Sequence, residues 1–223
     1  MPDENNDEGS LKVELENHEF ELSTSQEKLI RKYCRLLWQA NQTINLTRHT
    51  DFKTFVARDL VDVLQLSKLL PQNQEVLDIG SGGGVPGLVM AIVRPDLEIS
   101  VCESVGKKAK VLQQIVDELQ LPVVVYPDRA ENVLEDLRYD VCTARAVGPM
   151  WKLLTWLDDR WLHAQRLLAF KGPRWAQEVS EAKTRGLTKG LIIKPIAKYP
   201  LHSTDPDAEK LNSYIVEAKR AIS

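Results

Sequence analysis

The sequence predicts an α/β fold: a seven-stranded, mostly parallel sheet with helices on both faces and an N-terminal helical cap. Three observations predict it. From residue 75 onward, short apolar runs of strand length alternate with helix-length amphipathic runs, the pattern of parallel strands joined by crossover helices. The last two apolar runs, 191–198 and 213–219, have no helix-length segment between them, so they should close the sheet as an antiparallel hairpin joined by a polar loop. Ahead of the first strand lie two helical patterns that stand outside this alternation.

The elements follow in order. Residues 1–22 are acidic and polar and are expected to be a disordered tail. Ser23-Thr-Ser-Gln26 reads as a capping box, after which Leu29, Tyr33, Leu37 and Ala40 recur at helical spacing. Asp51 can cap a second helix, which Leu70-Pro71 ends. These two helices make a cap over 23–71, and a ligand-binding domain fills 72–223. In that domain the expected strands are 75–79, 98–102, 121–126, 139–144 and 166–171. The intervening helices cover 86–93, 107–119, a short stretch near 130–137, a helix after Pro149, and 174–186.

Composition narrows the function classes. With 223 residues, 43% hydrophobic and 27% charged, the chain can bury a sizeable core without staples. Cys34, Cys102 and Cys142 form no CxxC pair, so reduced thiols and a cytoplasmic location are expected. No apolar run approaches the roughly 20 residues of a membrane span, and no signal peptide is expected. The net charge of −3 is unevenly spread: residues 1–22 hold eight acids against Lys12, whereas 145–200 carry eleven Lys/Arg against four Asp/Glu. That basic stretch suits a nucleic-acid partner or a solvated face.

The turn after the first strand, Asp78-Ile-Gly-Ser-Gly-Gly-Gly84, carries the main chemical signal. It sits where ligands bind in open α/β sheets, and Gly80, Gly82 and Gly84 permit positive φ and close backbone approach. Asp78 can hold the turn or reach a ligand through water. Gly82-Gly-Gly84-Val-Pro-Gly87 also fits the dinucleotide pattern GxGxxG. However, the first glycine after the strand is Gly80, and Asp78-x-Gly80-x-Gly82-x-Gly84 matches the S-adenosylmethionine motif in register. That register favours a Rossmann-like class I S-adenosylmethionine methyltransferase, with a nicotinamide enzyme as the competing reading.

Further candidates follow each strand. Glu103 can accept a ribose's hydroxyls, or serve only as an acid at a helix start. Ala130 and Glu131 can edge the adenine, or merely begin a helix. Arg145, after the fourth strand, can meet the cofactor carboxylate or an RNA phosphate, or form a buried ion pair. Lys171-Gly-Pro-Arg174-Trp175 reads as a mobile basic loop in which Lys171 and Arg174 approach phosphates and Trp175 stacks a base. Trp151, Trp156 and Trp161 read as core. Beyond Arg145 and Lys171 as positioning groups, no catalytic side chain is expected. The four histidines show no metal-ligand spacing.

With these residues in hand, the chain resembles the ribosomal RNA small-subunit methyltransferase G family, also called glucose-inhibited division protein B, from about Tyr33 to Gly172. The resemblance is carried by Asn41-x-x-x-Asn45-Leu-Thr47, the turn from Asp78 to Gly87, Glu103 with Gly106-Lys-Lys108, Arg129-Ala-Glu131, Arg145-Ala-Val147 and Lys171-Gly172. It implies S-adenosylmethionine as methyl donor and N7 of guanine 527, in the 530 loop of 16S ribosomal RNA, as acceptor. The RNA would be met naked or in the small-subunit particle, by a protein expected to be a monomer. It places cofactor contacts on Gly80, Val85, Ala130, Glu131 and Arg145, with Glu103 at the ribose. Guanine N7 has a free lone pair, so in-line transfer would need no general base. The chain departs from the family at Ala40, where Trp is usual, and at Asp59 and Val63, where the pattern His-x-x-Asp-Ser-Leu is usual. The acidic N-terminal segment is a further departure.

Overall fold

The structure is a computed structural model and describes residues 4–200 and 212–221. Its sheet comprises β1 (Glu75–Ile79), β2 (Glu98–Cys102), β3 (Val124–Tyr126), β4 (Tyr139–Ala144), β5 (Ala164–Lys171), β6 (Leu191–Pro200) and β7 (Asn212–Arg220). Their spatial order is β3-β2-β1-β4-β5-β7-β6. The first five strands are parallel, while β7 runs antiparallel to both β5 and β6. The dinucleotide fold continues in parallel order to its sixth strand. An antiparallel strand inserted beside β5 therefore disfavours the nicotinamide reading. The polar loop expected between the last two strands lies outside the described residues.

Helices α5 (Gly87–Val93), α6 (Gly106–Leu119), α7 (Ala130–Asp136), α8 (Met150–Leu157) and α9 (Trp175–Thr184) fill the crossovers. Side-chain alternation along the strands feeds two apolar cores, one on each face. β1 sends Val76 to the first and Leu77 and Ile79 to the second, while β5 sends Leu168 to the first and Leu167 and Ala169 to the second. β3 is shorter than the apolar run 121–126, because Pro122 has no N–H to give a ladder.

The cap comprises α2 (Thr24–Asn41), then α3 (Phe52–Thr54), a π-helical segment (Phe55–Leu60) and α4 (Val61–Ser67) in succession. Ser23 and Gln26 make the expected capping box, and Asp51 accepts from the Thr54 N–H at 2.7 Å. Gln26, Arg94 and Tyr33 are among the polar side chains that dock the cap. Gln26 Nε2 donates to the Ile92 and Val93 carbonyls at the end of α5, and Arg94 Nη1 donates to the Ser67 and Leu70 carbonyls at the end of α4. Tyr33 donates its hydroxyl to the Gly83 carbonyl at 2.8 Å.

Disorder expected over residues 1–22 is corrected for most of that stretch. Glu4–Asn17 form α1, and Leu11 and Leu15 are buried against the cap. Two leucines one helical turn apart give the helix an apolar anchor, which the acid count conceals.

Candidate functional site

A cavity of about 520 Å³ opens at the carboxyl ends of β1, β2 and β4, where the chain order switches direction. Its floor is the glycine turn. Gly80, Gly82 and Gly84 have φ of +66°, +58° and +98°, so the sequence places glycine where the backbone is left-handed. A side chain at Gly80 would stand 3.1 Å from Val147 Cγ1, so this glycine also lets the loop after β4 press on the turn.

Asp78 locks the turn from beneath. It is fully buried and accepts from Ser81 Oγ at 2.5 Å, the Gly87 N–H at 3.0 Å and Thr143 Oγ1 at 3.0 Å. Burial pushes its carboxyl up to about 6, and these hydrogen bonds, together with the Arg145 charge, keep it from rising further. Asp78 does not line the cavity, which corrects its reading as a ligand contact. Gly84 is likewise internal: its Cα faces Leu88, which a Cβ would approach to 2.9 Å. Gly80, Ser81, Gly82, Gly83 and Val85 do line the cavity.

Glu103, 6% exposed, lines the cavity and braces the turn: it accepts from the Gly82 N–H at 3.1 Å and the Val105 N–H at 2.8 Å. A carboxylate has about four acceptor sites, so some remain for a ligand's hydroxyls. Ala130 and Glu131 form the adjoining wall, together with Lys152 and Trp156 of α8. Lys152 Nζ stands 5.0 Å from the Trp156 ring centroid. Read as core in the sequence, Trp156 is half-buried and faces this wall.

The opposite wall belongs to the cap and the end of β4. Leu37, Leu46, Thr47 and Asp59 line it beside Arg145, Ala146 and Val147. Asn41 Oδ1 shapes the cap loop by accepting from the Leu46 and Thr47 N–H groups at 2.8 and 3.0 Å, which explains the spacing between Asn41 and Leu46-Thr47. Arg145 does line the cavity, but its guanidinium is already held by carboxylates. Nη2 lies 2.6 Å from Asp59 Oδ1 and Nε lies 2.7 Å from Asp62 Oδ2. Burial works against its charge, and the two carboxylates more than offset this, holding it protonated well above its usual range. Burial lifts the Asp62 carboxyl, while Arg145 and the Tyr199 hydroxyl at 2.6 Å pull it back. The ion-pair reading of Arg145 is the one realised here. Its partners lie 83 and 86 residues away in the chain, and the departure at Asp59 supplies one of them.

Lys171 needs the same correction. It is the last residue of β5, with a side chain only 5% exposed; Nζ donates to the Gly148 carbonyl at 2.6 Å and meets Glu178 Oε2 at 2.8 Å. Glu178 also accepts from the Met150 N–H, so the pair clamps the loop between β4 and α8. Trp175 is half-buried beside Tyr214, with ring centroids 6.1 Å apart, and does not reach the cavity. Arg174 is exposed just before α9. Cys102 also lines the cavity, but burial pushes its thiol up to about 12, which leaves it a poor proton acceptor or nucleophile.

Comparison with known proteins adds sequence and fold likeness. The family model for rRNA small subunit methyltransferase G matches residues 26–200. Ribosomal RNA small subunit methyltransferase G of Rhodopirellula baltica is 46% identical over 197 residues, covering 88% of this chain and 85% of that protein. The protein of the same description from Halorhodospira halophila is 34% identical over 171 residues, covering 77% and 81%. Among solved structures, precorrin-6y C5,15-methyltransferase from Geobacter metallireducens has a TM-score of 0.56 at 15% identity, covering 80% of this chain and 92% of that one. A variant of MtNAS in complex with S-adenosylmethionine has a TM-score of 0.58 at 15% identity, covering 88% and 77%. At such identities the likeness is one of fold.

Proposed function

The chain belongs to the rRNA small subunit methyltransferase G family, and from that premise we propose that it methylates N7 of guanine 527 in the 530 loop of 16S ribosomal RNA. Family membership makes it an S-adenosylmethionine-dependent ribosomal RNA methyltransferase.

The residues present fit the methyl donor. The left-handed turn offers backbone to its amino acid portion, Glu103 keeps free acceptor sites for ribose hydroxyls, and Ala130, Glu131 and Trp156 form an adjoining wall against which adenine would lie. When bound there, S-adenosylmethionine supplies an electrophilic methyl group on a sulfonium.

The observation that carries the mechanism is the acceptor side of the cavity. Leu46, Thr47, Asp59 and Arg145 stand there; among the described residues no histidine lines the cavity, and the Cys102 thiol is held protonated. An acceptor without a proton to lose, such as guanine N7, suits that set. The work left to the protein is placement at roughly 3–3.5 Å in a site shielded from water. Two carboxylates against one guanidinium leave negative charge near the acceptor, which favours the positive charge that N7 gains. The guanine must be unstacked and offered by its Hoogsteen edge.

Small-subunit RNA from cells lacking the gene, treated with borohydride and aniline, tests the assignment. Loss of cleavage at guanine 527 is expected, with return on complementation. Cleavage that persists without the gene overturns the nucleotide assignment.

A further inference from the structure

The Asp59–Arg145–Asp62 cluster is extended at both ends, to His49 in the cap and to Tyr199 in the sheet. His49 closes the cap loop. Its N–H donates to Thr47 Oγ1 at 3.0 Å, and its carbonyl accepts the Trp38 indole N–H at 2.8 Å. So fixed, the ring places Nδ1 2.8 Å from Asp59 Oδ2. The other oxygen of Asp59 lies 2.6 Å from Arg145 Nη2. Arg145 continues to Asp62, and Asp62 to Tyr199 of β6. The cap loop, the π-helical segment, α4, the end of β4 and the end of β6 thus meet through five polar side chains.

Three features mark His49 as the controlling member. Asp59 is nearly fully buried and sits in the π-helical segment, a local irregularity often found at functional sites. Its carboxylate could turn both oxygens to the guanidinium fork, the geometry arginine favours, were one oxygen not taken by the imidazole. Moreover, Leu46 and Thr47 of the His49 loop line the cavity, and the Leu46 carbonyl lies close over Gly83 of the glycine turn. His49 itself does not line the cavity, and its side chain is a quarter exposed, so neither ligand contact nor core filling accounts for it.

We propose that His49 is a positioning residue for the RNA acceptor. By donating Nδ1–H to Asp59 it sets one oxygen of that carboxylate on Arg145 and ties the loop bearing Leu46 and Thr47 across the acceptor side of the cavity. This rests on the reading of the cavity as the site of methyl transfer to RNA. The methyl donor is held by the turn, Glu103 and the adenine wall, on the other side. Loss of the imidazole should therefore disturb RNA use and spare donor binding.

The test compares His49→Ala with His49→Asn in the full chain, because the asparagine amide nitrogen occupies the place of Nδ1 and can donate to Asp59. Steady-state methylation of small-subunit RNA, calorimetric binding of S-adenosylmethionine and thermal unfolding are read for each. For His49→Ala, kcat/KM for RNA should fall about ten-fold or more, the loss expected for a hydrogen bond to a charged group. Donor affinity should stay within about two-fold, and His49→Asn should recover most of the RNA loss. A merely structural role would move unfolding in both variants and give no selective rescue. Unchanged kcat/KM in His49→Ala, or His49→Asn no better than alanine, overturns the proposal. A wild-type chain inert on this RNA overturns the function itself, and the inference with it.

Discussion

Replacing Lys171 with methionine separates an internal clamp from an RNA contact. The ammonium donates to the Gly148 carbonyl and the Glu178 carboxylate from a side chain 5% exposed. Its loss leaves both acceptors short of a donor. Glu178 is the more exposed partner and keeps the Met150 N–H, so water can compensate in part. The cost should be about 2–3 kcal/mol, below the ~3–5 kcal/mol typical of breaking a fully buried pair. Glu178→Leu should cost more, roughly 3–5 kcal/mol, because it strands the buried ammonium on one carbonyl. For a chain of this length each 1 kcal/mol shifts Tm by about 2–4 °C. Calorimetry should therefore rank Glu178→Leu below Lys171→Met and both below wild type. The double variant should lose well under the sum of the two single losses, since an apolar pair replaces an ionic one. RNA binding across salt concentrations completes the case. A phosphate contact would lower the slope of log K against log salt by about one when Lys171 is removed, and an internal clamp leaves the slope unchanged. Losses under about 1 kcal/mol for both single variants, or a reduced slope, would refute the reasoning.

Two further outcomes follow from the floor of the cavity. Burial raises the Asp78 carboxyl to about 6, so the folded chain binds this proton more tightly than the unfolded one. The resulting stability is complete below the ordinary carboxylate range and is lost as pH rises through about 6, amounting to about 3 kcal/mol between those limits. Urea unfolding at pH 5 and pH 7 should show a smaller pH difference in Asp78→Asn than in wild type, and equal differences would discount the residue. Gly80→Ala forces a side chain into φ +66° and within 3.1 Å of Val147, so it should cost about 1–2 kcal/mol and weaken S-adenosylmethionine binding in calorimetry. An alanine variant with wild-type affinity would show that the turn tolerates what its geometry forbids.

The sheet was largely legible because its signals are local. Strand-length apolar runs, the capping box at Ser23 and the Asp51 cap each lie within a few residues and reappear in the structure at those places. The glycine turn was legible for the same reason, since φ at Gly80, Gly82 and Gly84 is dictated by adjacent backbone. Other features depend on meetings at a distance. Helix α1 forms despite its acids because Leu11 and Leu15 find the cap. Asp59 was visible only as a departure from a family pattern, and nothing nearby in sequence ties it to Arg145. The signal that could have found the pair is spacing on the helix: Asp59 and Asp62 lie three apart, on one face.

Charge was the most misleading of the sequence signals. The basic stretch 145–200 suggested a surface for RNA, yet two groups among its cations differ sharply. Arg145 meets Asp59 and Asp62, Arg160 meets Glu135, Arg166 meets Glu217, and Lys171 meets Glu178. For the first three, the carboxylates lie outside the stretch, so a local count leaves these cations unbalanced. Lys183, Lys189, Lys194 and Lys198 are exposed instead, and no acid falls between residues 183 and 200. Arg185 is exposed with them, its guanidinium 4.2 Å from the Trp151 ring centroid. Salt-dependent attraction for a polyanion grows with cations that lack a carboxylate partner, and the paired ones add little. The exposed, locally unbalanced charge of the stretch therefore lies in its later part, from 183 to 198. The residues that stood out at the strand ends hold the cavity's walls in place.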